Sequence, residues 1–77
     1  MGKLKNISLR SFRAYLLHCG LKHIRTKGGH EIWSARNMLR PVVLQTHVDP
    51  VPEFIIKNNL RTIGKTETDL LQFLYRH

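Results

Sequence analysis

Acid is scarce in the first half of this 77-residue chain, and cysteine and long apolar runs are scarce throughout. Residues 1–40 carry nine Lys and Arg against Glu31 alone, so this half holds +8, whereas residues 41–77 balance four cations with four acids. A basic surface that merely solubilises one face is the bland reading. An excess covering half a domain without a compensating acid cluster points instead to an anionic partner, a phosphate backbone or an acidic protein that mimics one. Cys19 is the only cysteine, which excludes an internal disulfide framework and a cysteine-based zinc site. Apolar runs such as Val42-Val43-Leu44 fall far short of the roughly 20 residues a membrane span needs, so no membrane association is expected. No apolar stretch of a secretory signal follows the basic N-terminus, and Asn6 stands where a Met-Gly myristoylation motif needs Ser or Thr. The expectation is a protein of the reducing cytoplasm.

What remains is one domain spanning residues 1–77. Apolar residues make up 42% and charged residues 23%, ordinary globular usage, but a chain this short buries only about 60% of its unfolded surface. Ser8 suits an N-cap. Leu9, Phe12 and Leu16 then form an apolar stripe flanked by Tyr15 and Cys19, with Arg10 and Arg13 off it toward solvent. Gly20 suits the left-handed position after a helix over residues 8–19. Residues 21–26 and 31–34 read as strands joined by Lys27-Gly28-Gly29-His30, because paired glycines accept the positive φ of a tight hairpin. Residues 42–46 form a third, β-branched strand after Pro41. Asp49, Pro50 and Pro52 suit the start of a second helix whose buried side is Phe54, Ile55, Leu60 and Ile63, ended by Gly64. Thr66 and Asp69 make a capping-box-like pair for a short last helix carrying Leu70, Leu71, Phe73 and Leu74. Three consecutive strands with short links give an antiparallel meander covered by helices: a two-layer α+β fold, α-β-β-β-α with a short extra C-terminal helix.

With the tip at Gly28-Gly29, Lys27 lies opposite His30, Arg25 opposite Ile32 and Ile24 opposite Trp33. That register sends Ile24 and Trp33 under the helices and gathers Arg25, Lys27 and His30 on the uncovered face. Bare glycines let a phosphate approach two backbone N–H groups. Arg25 and Lys27 would neutralise phosphate charge and stabilise what builds up during phosphoryl transfer, while His30 exchanges a proton near neutral pH. RNA brings its own nucleophile, the 2′-hydroxyl, so such a site needs no cofactor. His18, His23, His47 and His77 form no metal-ligand spacing with His30, and the expected metal content is none. By spacing alone, a histidine after a glycine pair is more often an exposed turn residue than a catalytic one.

Leu17-X-X-Gly20-Leu21 followed by Ile24-Arg25-X-Lys27-Gly28-Gly29-His30-X-Ile32-Trp33 resembles the signature of the HicA toxins, small mRNA interferases. Residues 43–47 resemble that family's third strand and its exit, residues 55–64 its second helix, and residues 66–74 its closing helix, so the likeness spans roughly residues 7–75. The resemblance implies a fold like the double-stranded-RNA-binding domain, metal-independent endoribonuclease activity on mRNA and a HicB-type antitoxin partner. His30 falls on the family's catalytic histidine and Gly28 on its motif glycine, whereas Gly29 replaces the usual serine and Pro50-Val51-Pro52 departs from the common helix start. Since one imidazole does not serve as acid and base in a single step, Lys27, a water or an RNA group must assist. A non-catalytic RNA-binding module and an adaptor for an acidic protein are the competing expectations.

Overall fold

A computed structural model describes residues 4–76. The Met1-Gly2 start, Lys3 and the terminal His77 lie outside the described residues. The elements run α1 (Leu9–His18), β1 (Lys22–Lys27), β2 (His30–Ser34), β3 (Val42–Gln45), α2 (Glu53–Ile63) and α3 (Glu67–Arg76). The architecture is α-β-β-β-α with one further helix, and the strands form a single antiparallel sheet in the order β1-β2-β3. Among the described residues no helix is long and apolar enough to cross a membrane.

α1 begins where Ser8, in extended backbone, accepts the Ser11 N–H on its hydroxyl at 3.0 Å. Its expected stripe is buried as Leu9, Phe12, Tyr15 and Leu16. Beyond Cys19 the chain leaves through Gly20, whose φ is +91°, and the Leu21 N–H returns to the Leu16 carbonyl at 3.0 Å. Asp49 does not cap α2. Pro52, with ψ at 143°, holds the chain extended up to Glu53, and α2 starts without a side-chain cap. The Asp49 carboxylate instead accepts the Leu9 N–H at 2.9 Å, closing the first turn of α1 from forty residues away.

The buried side of α2 also differs from expectation. Ile56, Asn59 and Leu60 are buried, Ile55 and Ile63 are half-buried, and Phe54 is 66% exposed. Ile56, Leu60 and Ile63 follow the i, i+4, i+7 spacing of one face, and Phe54 precedes Ile56 by two positions, which turns it to the opposite side. α3, the extra C-terminal helix, runs ten residues. Thr66 accepts the Asp69 N–H at 3.1 Å, but the reciprocal half of the capping box is absent, because the Asp69 carboxylate accepts the Tyr15 hydroxyl at 2.6 Å. Phe73 meets Tyr15 edge-on at 5.4 Å between ring centroids, joining α3 to α1. Burial first, and the bond to Asp69 second, push the Tyr15 hydroxyl well above its ordinary range.

Trp33, Val42 and Leu44 supply the sheet's share of the core, which Leu4 and Ile7 ahead of α1, Leu21, Val51 and Leu70 join. β1 contributes no buried residue. The β1–β2 hairpin therefore projects its outer strand beyond the helical layer, which determines what the site looks like.

Candidate functional site

The hairpin turns on two glycines with φ of +57° and +80°, the pair of left-handed residues that a two-residue loop between right-twisted strands requires. Lys27 pairs with His30 and Arg25 with Ile32, as the sequence predicts; across β2, His30 pairs with Gln45 and Ile32 with Val43. Cross-strand partners share a face, so Arg25, Lys27 and His30 stand on one side of the sheet, all exposed. The opposite side holds Trp33, Val42 and Leu44 in the core.

Ile24 does not oppose Trp33. The ladder shifts between His23 and Arg25, so Ile24 drops out of register and is 56% exposed. His23 takes its place, with its ring 5.5 Å from the Trp33 ring and its Nε2 at 2.8 Å from the Thr26 hydroxyl. Every residue of β1 is exposed, so Ile24 meets no covering layer among the described residues.

Glu31, the one acid of the basic half, adjoins His30 in sequence but points the other way. It is 4% exposed and accepts both nitrogens of an Arg13 fork, Nε at 3.0 Å and Nη2 closer, together with the Trp33 indole N–H at 3.0 Å. The Arg13 hydrogen bonds hold the Glu31 carboxyl below its ordinary range against the opposing effect of burial, and they raise Arg13 in turn. Arg13 is thus not a solvated cation off the helix stripe. It pins α1 to β2 and neutralises Glu31, leaving Arg25, Lys27 and His30 with no ion pair or side-chain hydrogen bond among the described residues.

The tip itself offers donors. Among the described residues neither the Gly28 nor the Gly29 N–H has a backbone acceptor, while the Gly29 carbonyl is taken by the Thr46 N–H at 2.9 Å and the Thr46 hydroxyl at 3.2 Å. Those bonds draw the exit of β3 onto the turn. His47 follows, and its ring lies against Gly29: a Cβ at that glycine would be 3.6 Å from His47 Cδ2 and 3.9 Å from Nε2. The sequence pattern alone places His47 in a loop with no link to the tip. The register contained the signal, since once His30 pairs with Gln45 the next residues of the third strand must pass the tip. Lys27 and His30 thus flank the glycine turn, His47 lies against it and Arg25 stands on the same face of β1, residue types able to bind a phosphate and move protons around it. Among the described residues no three of His, Cys, Asp and Glu gather as a metal site would need. No family model, curated protein or solved structure matches this chain.

Proposed function

We propose that this protein is a metal-independent endoribonuclease that cleaves mRNA in the cytoplasm, a HicA-like toxin held in check by a HicB-type antitoxin. The observation that carries the reading is the exposed His30 beside the Gly28-Gly29 tip, flanked on its own face by Lys27 and Arg25, none of the three in an ion pair among the described residues. In the reaction the RNA 2′-oxygen loses its proton to one imidazole and bonds to the adjacent phosphorus. The P–O5′ bond breaks, and the departing O5′ takes a proton from a second group, leaving a 2′,3′-cyclic phosphate and a 5′-hydroxyl. His30 is one of the two proton-transfer residues, and His47, whose ring lies against Gly29, is a candidate for the other beside Lys27. The glycine N–H groups, Arg25 and Lys27 stabilise the negative charge that accumulates on the phosphoryl oxygens.

Incubation of a long RNA in excess EDTA tests this. The native chain should cleave it, and His30→Ala should slow cleavage by roughly 10²–10⁴-fold while still shifting RNA on a gel. Undiminished cleavage by that variant overturns the assignment. A second reading, a non-catalytic RNA-binding module, is favoured by the lack of any group among the described residues that hydrogen-bonds the His30 ring and fixes its tautomer. Intact RNA with a shifted band is its signature. An antitoxin with carboxylates placed for Arg25 and Lys27 would cover His30 and exclude phosphate through the same charges.

A further inference from the structure

One cavity of the molecule lies away from the glycine tip. It is an open cleft of about 820 Å³ where the end of α1, the β2–β3 connection and the end of α2 meet. Leu21, Met38 and Ile63 line it, together with four cations: Arg36 and Arg40 from the connection, Arg61 from the last turn of α2, and Lys65 from the link to α3. No Asp or Glu lines it. All four cations are exposed and none makes an ion pair or side-chain hydrogen bond among the described residues. Four unpaired positive charges around one groove repel each other, and an anion in the groove relieves that repulsion.

We infer that this cleft is a second anchor for single-stranded RNA, holding the ribose–phosphate strand that flanks the segment at the glycine tip; the inference rests on the nuclease reading for its substrate. Leu21 precedes β1 and Ala35 follows β2, so cleft and tip lie at opposite ends of one hairpin. Six residues of β1 separate them by roughly 20 Å. A ligand that reaches both must repeat its negative charge along that length, as an extended polyphosphate does. Three of the four cations are arginines, whose planar forks grip phosphate through two bonds and stack on bases, and the apolar floor gives an unpaired base somewhere to lie.

The test is binding of a fluorescent, fully 2′-O-methylated RNA of about twelve nucleotides, which has no 2′-hydroxyl and cannot be cut. Arg61→Gln/Lys65→Gln and Arg36→Gln/Arg40→Gln should each weaken it about tenfold near 0.1 M salt, and each should lower the slope of log K against log salt by about 1.4. Arg10→Gln/Arg76→Gln removes the same charge elsewhere and should leave affinity within about twofold of native. Native-like binding by both cleft variants, or an equal loss in the control, overturns the inference. So does a poly-glutamate of matching length that occupies the cleft more tightly than RNA, which would assign it to an acidic protein. The two readings fail separately. Native protein that binds through the cleft but does not cut unmodified RNA removes the nuclease, and cleavage with cleft variants that bind normally removes only the cleft.

Discussion

Gly28 and Gly29 share a left-handed backbone but not an environment, and the difference separates folding from chemistry. A Cβ at Gly28 would meet nothing within 4 Å, whereas one at Gly29 would rest on the His47 ring. Alanine at either position strains a φ of +57° or +80° and should cost about 1–2 kcal/mol in urea denaturation. Cleavage should separate them, since a methyl at Gly29 would lie at ordinary van der Waals distance beside the His47 ring and occupy space next to it, whereas one at Gly28 would meet nothing within 4 Å. Equal residual rates, after correction for the folded fraction, would deny His47 a part in the reaction. His47→Gln is the companion test: it should remove one limb of the pH–rate profile while His30→Ala removes the other.

At the scale of elements, the Arg13–Glu31 pair joins α1 to β2. Glu31 is nearly enclosed while the Arg13 side chain is 38% exposed, so the link is weaker than a fully buried pair, whose breakage costs about 3–5 kcal/mol. Arg13→Gln, which leaves a buried carboxylate unpaired, should cost about 2 kcal/mol. Because the folded state lowers the Glu31 carboxyl, it binds that proton less readily than the unfolded chain does. The contribution is therefore complete above the unfolded carboxyl range of about 4.3 and is lost as pH falls below it. Urea melts from pH 7 to 3 should show that decline in the native chain and a flatter slope in Glu31→Gln. This pair was not legible in the sequence. Helical periodicity places Arg13 off the apolar stripe, but only the packing of α1 on the sheet brings β2 and its acid beside it. The same limit explains Asp49, which caps the helix that folding brings near rather than the one that follows in sequence. Ile24 was misplaced because a bulge removes a residue from the alternation that otherwise assigns faces. What local rules fix was readable: Ser8 and Gly20 bounding α1, the glycine turn, and through it the shared face of Arg25, Lys27 and His30.

For the whole molecule, the +8 charge opposes folding and favours binding, so salt should move the two in opposite directions. Among the described cations only Arg13 and Lys57 are in ion pairs, Lys57 with Glu53 at 3.5 Å, and the rest repel one another across a body with a radius of gyration of 11.6 Å. That size is close to the screening length of about 10 Å at 0.1 M salt. Raising NaCl through this range should therefore increase the Tm of the free protein while RNA affinity falls. The uncuttable RNA, which binds the folded state, should act in the first direction without the second. At a hundredfold excess over its Kd it adds about 2.7 kcal/mol, which for a domain of this size raises Tm by roughly 10 °C or more. A free-protein Tm that is flat in salt, with RNA affinity equally flat, would mean that the unpaired cations do not govern either equilibrium, and both the tip and the cleft would lose the electrostatic basis on which they are assigned.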